Sequence, residues 1–130
     1  MSGFEYKEMR FLNVDLDLVS RSDLQPLVTA LEPAAFALHV GHEKRTYSAH
    51  LELSKFPKNA DAAIRGFAAL IQKLSRAERK LWDTAKVRDF NIGVQSALQP
   101  RAFEIKLTPD TLGIASSLGA RIVLTVYAPS

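Results

Sequence analysis

A strict alternation of apolar and polar residues near the start of the chain constrains the fold more than any other feature. Apolar side chains occupy every second position from Leu12 to Leu18, and Asn13, Asp15 and Asp17 lie between them. Because successive side chains of a β-strand point to opposite faces, this segment predicts a strand with one buried and one solvated face. Such a strand requires a sheet, and a second layer that covers its apolar side.

The same alternation recurs in five later segments, so we predict about six strands in total. The turn residues of Gly41–Lys44 join two of them into a hairpin, and Pro100 marks a turn that joins two more into a second hairpin. The five later segments run approximately over Ala35–Val40, Arg45–Leu53, Phe90–Gln95, Phe103–Leu107 and Ile122–Val126.

Helical spacing of apolar residues appears in three places between the predicted strands. A short helix is expected over Leu24–Leu31, a long one over Ala60–Ala85, and a third begins at Thr108 and ends before Gly119. Within the long segment, a serine followed three residues later by a glutamate matches a capping box. The segment therefore forms either one long helix or two helices that meet near Ser75.

These elements predict an α+β fold in the order β-α-β-β-α-β-β-α-β. Strands with one apolar and one polar face indicate a mixed, largely antiparallel sheet with helices on one face only. A chain of 130 residues encloses one core, so we expect a single domain over residues 1–130, with flexible ends at about 1–9 and 128–130.

Composition excludes several classes of protein. The chain has no cysteine, which rules out disulfides, thiolate metal sites and cysteine nucleophiles. The N-terminal residues do not resemble a secretory signal, and no run approaches the roughly 20 apolar residues of a membrane span. We expect a cytoplasmic protein without membrane association. The net charge of +3 is too small to indicate a polyanionic partner by itself.

Most of the chain resembles one known bacterial family. The resemblance rests on the opening alternating strand, the Leu24–Leu31 helix, the segment Arg45–Glu52 and the ending Leu118–Tyr127. Together they are similar to the bacterial group called domain of unknown function DUF4279. The resemblance implies a bacterial origin and a compact sheet-and-helix domain. It brings no catalytic residues to this chain, because none are established for the group.

The polar side of the predicted sheet carries the candidate site. Asp15 and Asp17 are two apart on a strand, which places their carboxylates about 7 Å apart on one face. Oxygen and imidazole groups on the same face could bind a metal ion or a small polar ligand. The alternative is a sheet face that only contacts solvent, which has the same composition. No spacing matches a known metal motif, so we expect no metal and no cofactor. The candidate residues are Asp15, Asp17, His39, His50, Glu52 and Tyr127.

A second candidate surface is a basic ridge on the long helical segment. Its members fall roughly on one stripe opposite the apolar residues, and such a stripe is typical of either a solvated helix face or a contact to phosphates. Aromatic residues are only 8% and no RNA-recognition motif is visible, so we do not expect a nucleic-acid partner. The ridge consists of Arg65, Lys73, Arg76 and Lys80.

Three functions remain open, and the pattern favours them in a definite order. The first is a protein-interaction module or homodimer that uses the uncovered sheet face or an edge strand. The second is a small-molecule or metal-binding protein, or an enzyme, built on the polar face. The third is a binder of acidic partners or nucleic acid through the ridge. Because neither a Gly-x-Ser-x-Gly elbow nor a phosphate-binding glycine loop is present, a non-enzymatic role is favoured.

Overall fold

A computed structural model describes residues 8–129 as a five-stranded sheet with four helices. The strands are β1 (Arg10–Ser20), β2 (Ala35–Glu43), β3 (Thr46–Leu53), β4 (Val87–Gln95) and β5 (Arg121–Tyr127). The helices are α1 (Gln25–Leu31), α2 (Ala60–Gln72), α3 (Arg76–Thr84) and α4 (Pro109–Ser117). The predicted α+β class is confirmed.

The sheet is mixed and largely antiparallel, as predicted. Its strand order is β2-β3-β1-β4-β5, so β1 lies in the centre and β2 and β5 form the two edges. Three neighbouring pairs are antiparallel, and β4 pairs with β5 in parallel. A parallel pair cannot be closed by a tight turn, and the chain between these two strands contains α4.

The prediction of about six strands is wrong by one. The segment Phe103–Leu107 forms no ladder, and the second hairpin is absent because β5 occupies the free edge of β4. Its apolar side chains, Phe103, Ile105 and Leu107, are nevertheless partly buried against the core. The alternation therefore predicts correctly which side chains are buried, but it does not predict whether the backbone pairs with another strand.

The long helical segment is two helices, so the element order is β-α-β-β-α-α-β-α-β. The N-cap of α2 is Asn59, whose side chain accepts a hydrogen bond from the backbone N–H of Ala62 at 2.8 Å. Ser75 is the N-cap of α3, but its hydroxyl donates to the Glu78 carboxylate and caps no backbone group. The serine and glutamate that predicted a capping box thus mark the helix start, but they make neither of its two hydrogen bonds to backbone N–H groups.

The core lies between one face of the sheet and the four helices. Val14, Leu16 and Leu18 of β1 are fully buried there, together with Phe67 of α2 and Trp82 of α3. The Trp82 indole N–H donates to the backbone oxygen of Leu118 at 2.9 Å, which satisfies its one polar group. No helix within residues 8–129 covers the opposite face of the sheet, which is called the uncovered face below.

Two β-bulges make the observed alternation of faces differ from the predicted one. In β1 the pairing with β4 shifts between Phe11 and Asn13, so Leu12 is the additional residue and Phe11 contacts the core in its place. In β2 the pairing with β3 shifts at Leu38, which leaves Phe36 opposite Glu52 on the uncovered face. A bulge inserts one residue and changes the face of everything beyond it, which a period of two does not reveal.

The described residues contain no helix that is both long and apolar enough to cross a membrane. Most of the predicted flexible ends, residues 1–9 and 128–130, lie outside the described part of the chain. Of those that are described, Met9 packs against the core and its backbone N–H donates to the Gln99 oxygen at 2.6 Å.

Candidate binding site on the uncovered sheet face

The strand register gathers the polar residues of four strands on the uncovered face. Asp17 of β1 lies opposite His50 of β3, and Asp15 lies opposite Asn91 of β4. Side chains opposite or diagonal to one another across a ladder lie close enough for direct contact. The residues that alternate with the buried core positions therefore form one polar surface.

A chain of hydrogen bonds crosses this surface from β3 to β5. His50 Nδ1 lies 2.8 Å from one carboxylate oxygen of Asp17, and the Asn91 amide donates to the other at 3.3 Å. The Thr125 hydroxyl then donates to the Asn91 side-chain oxygen at 2.7 Å. The chain fixes the orientation of Asp17 and Asn91, since both oxygens of the carboxylate and both ends of the amide have partners.

Asp15 lies beside this chain and is held differently. The pKa of Asp15 is raised from 3.8 to about 6, mainly by burial, then by the negative charges of Glu52 and Asp17 and by a hydrogen bond with Glu52. His50 opposes the shift.

A concavity of about 400 Å³ opens next to Asp15 and Glu52. This volume is at the small end of the range for small-molecule sites. Gly93 contributes a floor without a side chain. A Cβ there would make ordinary contacts, 3.6 Å from the Tyr127 ring and from the Asn13 backbone oxygen. The lining residues are Leu12, Asn13, Asp15, Glu52, Asn91, Gly93, Gln95 and Tyr127.

The β1 bulge shapes this concavity directly. It places Leu12 and Asn13, which are consecutive, along the same wall. The side-chain oxygen of Asn13 is buried and has no hydrogen-bond donor among the described residues. A buried acceptor without a partner costs stability, so a donor that enters the concavity would be favoured.

The structure divides the six predicted candidates into three groups. Asp15, Glu52 and Tyr127 line the concavity, and Asp17 and His50 form the hydrogen-bonded pair beside it. His39 is on the same face, with its ring 5.8 Å from the His50 ring, but it lies on the edge strand β2 and lines a different surface depression with Gly41 and Ser48.

Sequence reasoning missed the two features that make the concavity. The alternation predicts Leu12 on the buried face and gives Gly93 no role, whereas both residues line the concavity. A glycine inside a strand is a known signal for a bulge or for close approach of another group, so Gly93 was the residue that could have indicated the site.

Neither a metal centre nor a continuous basic ridge is formed by the described residues. Within residues 8–129, no group of three or more histidine, aspartate or glutamate side chains is arranged to hold a metal ion. The four ridge residues are exposed but divided, because Arg65 belongs to α2, Lys73 is its C-cap, and Arg76 and Lys80 belong to α3.

Compared with protein-family models, curated proteins and solved structures, the chain matches none. The resemblance to the DUF4279 group stays a prediction.

Proposed function

We propose that this protein binds a small organic molecule carrying an ammonium or similar hydrogen-bond-donating group in the concavity of the uncovered sheet face. The observation that carries the proposal is the chemistry of the lining residues. Asp15 and Glu52 supply carboxyl oxygens, and Asn13 supplies a buried amide oxygen without a donor.

The lining lacks positive charge, which favours a cationic ligand over an anionic one. None of the eight lining residues is lysine, arginine or histidine. Arg10 lies on the same face at the start of β1, opposite Gln95, and is not part of the lining. An ammonium group placed between Asp15 and Glu52 would offset the burial of the Asp15 carboxylate and its repulsion by Glu52, the two largest causes of its raised pKa. Leu12 and the Tyr127 ring provide an apolar wall for the rest of such a molecule.

Titration of isotope-labelled protein by NMR tests this function. We expect n-butylamine and butylguanidine to shift the side-chain amide signals of Asn13, Asn91 and Gln95, and butyrate to leave them unchanged. The variant Gly93→Val fills the floor of the concavity and should abolish the shifts, since valine suits a strand and the site tolerates a Cβ.

Gly113→Ala is the matched control. A Cβ at Gly113 has open space around it, and the residue belongs to α4 and not to the concavity. Binding should therefore be retained. Equal binding of the amine by the Gly93→Val and Gly113→Ala proteins would show that the amine is bound elsewhere.

Self-association through β5 is a second candidate, favoured by the composition of that edge strand. No described residue pairs with the outer edge of β5, and Leu124 and Val126 are 60% and 53% exposed. Antiparallel pairing of two copies centred on Leu124 would align Ile122 with Val126 of the second copy and Arg121 with its Tyr127. The strand is therefore complementary to itself, which is what a twofold contact requires.

Sedimentation equilibrium over a range of concentrations tests this association. The unchanged protein should dimerise, and Leu124→Lys should remain monomeric because it places two like charges opposite each other at the centre of the contact. Leu112→Lys, on an exposed position of α4, should leave the dimer intact. A monomer at every concentration would contradict the proposal.

A further inference from the structure

A second concavity lies at the opposite end of the central strands. Because β1 is antiparallel to β3 and β4, the end of β1 meets the beginnings of both neighbours, and Ser20 lies opposite Tyr47. The residues next to these strand ends are Arg21, Arg45 and Lys86. Three cationic residues that are far apart in sequence thus meet at one end of the sheet.

The lining of this concavity is strongly positive. Its volume is about 530 Å³, and none of its lining residues is acidic. None of its four cationic side chains forms an ion pair with any residue between 8 and 129. Positive side chains kept together without a negative partner repel one another, and a bound anion removes that repulsion. The lining residues are Arg21, Lys44, Arg45, Thr46, Tyr47 and Lys86.

The hairpin turn between β2 and β3 contributes two of these cations. Glu43 pairs with Thr46, so the turn consists only of Lys44 and Arg45. Lys44 has a φ of 56°, in the left-handed region where glycine or asparagine is usual in such turns. A lysine in this conformation costs stability relative to glycine, and it adds a fourth positive charge to the concavity.

We propose that this concavity binds the phosphoryl group of a free small molecule, such as a phosphate monoester or a diphosphate. Arginine guanidinium groups match two oxygens of a phosphate at once, and lysine ammonium groups add charge from other directions. Four cations suit a ligand with two or more negative charges better than a single carboxylate. The Tyr47 ring, stacked on His42 at a centroid distance of 4.0 Å, offers a flat wall beside the anion.

This site is independent of the one on the uncovered face. The two concavities share no lining residue and lie at opposite ends of β1. Loss of one would leave the other unchanged.

Isothermal titration with inorganic pyrophosphate, at low and at high salt, tests the assignment. We expect saturable binding that weakens as salt is added, because exposed charges are screened. The double variant Arg45→Glu with Lys86→Glu should weaken binding by about tenfold or more, since two charge-assisted contacts are replaced by repulsion. Both residues are exposed, so the variant should fold.

The double variant Arg76→Glu with Lys80→Glu is the matched control, because it changes the net charge by the same amount on the surface of α3. It should keep nearly full affinity for pyrophosphate. Equal weakening in the two double variants would overturn the site in favour of a general charge effect. Absence of pyrophosphate binding would overturn it too. This holds even if the protein binds vesicles of phosphatidylcholine with phosphatidic acid, because the proposed ligand is a free small molecule.

Discussion

A carboxyl group that is buried beside a second carboxyl destabilises the folded protein when it ionises, and Asp15 is in this position. Its pKa is raised from 3.8 to about 6 by burial first and by Glu52 and Asp17 next. Between these two values the folded protein holds a proton that the unfolded chain has released. The free energy of unfolding contributed by Asp15 therefore falls as pH rises from about 4 to about 6.

Replacing Asp15 by asparagine should remove this penalty. At pH 7 we expect Asp15→Asn to raise the free energy of unfolding by about 1 kcal/mol, less than full burial would give, because solvent screens a partly exposed carboxyl. Below pH 4 the difference should vanish, since the carboxyl is then neutral in both states. Urea unfolding at pH 3.5 and pH 7 measures both values.

Glu104→Gln is the control for that measurement. Glu104 is 76% exposed and lies 3.7 Å from Lys106, so its replacement should change stability little at either pH. A gain from Asp15→Asn that is the same at pH 3.5 and pH 7 would mean that charge is not its cause.

At the scale of a secondary-structure element, the N-cap residues of α2 and α3 are expected to contribute unequally to stability, although both are residue types that commonly cap helices. Asn59→Ala removes the hydrogen bond to the Ala62 N–H and should cost about 1 kcal/mol of stability. Ser75→Ala removes only an exposed contact to Glu78 and should cost clearly less. Thermal unfolding of the two variants compares them directly, and equal losses would contradict the assignment of Asn59 as the stronger cap.

Secondary-structure elements were predicted correctly where their buried side chains follow a clear period. The prediction failed where the outcome depends on which strands pair with each other. The α1, α4 and β1 segments follow from apolar spacing and from caps such as Thr108, whose side chain accepts from the Thr111 N–H. The Phe103–Leu107 segment has the spacing of a strand but lacks a partner, because β5 takes the edge of β4. Which strand occupies an edge depends on contacts between distant residues, and these leave no local trace in the sequence.

The candidate site was predictable to a similar degree. The polar face and its residues Asp15, Asp17, His50 and Glu52 follow from alternation alone. The concavity does not, because it needs the bulge at Leu12 and the bare floor at Gly93. The proximity of Arg21, Arg45 and Lys86 could not be predicted from the sequence either. It depends on the pairing that brings the end of β1 next to the beginnings of β3 and β4.

At the scale of the whole molecule, the two concavities give the sheet opposite charges at its two ends. The acidic one lies near the start of β1 and the basic one near its end. A net charge of +3 conceals this separation, because it adds both ends together. The distribution of charge along the sheet is therefore a better guide to binding partners than the total.

The parallel pairing of β4 with β5 has a consequence for the order in which the protein folds. The β2–β3 hairpin closes through partners only three residues apart, Glu43 and Thr46, whereas every pair between β4 and β5 joins residues 32 apart, such as Asp89 and Arg121. Closing a longer loop costs more chain entropy before any contact compensates for it. The hairpin is therefore expected to form before β5 pairs with β4.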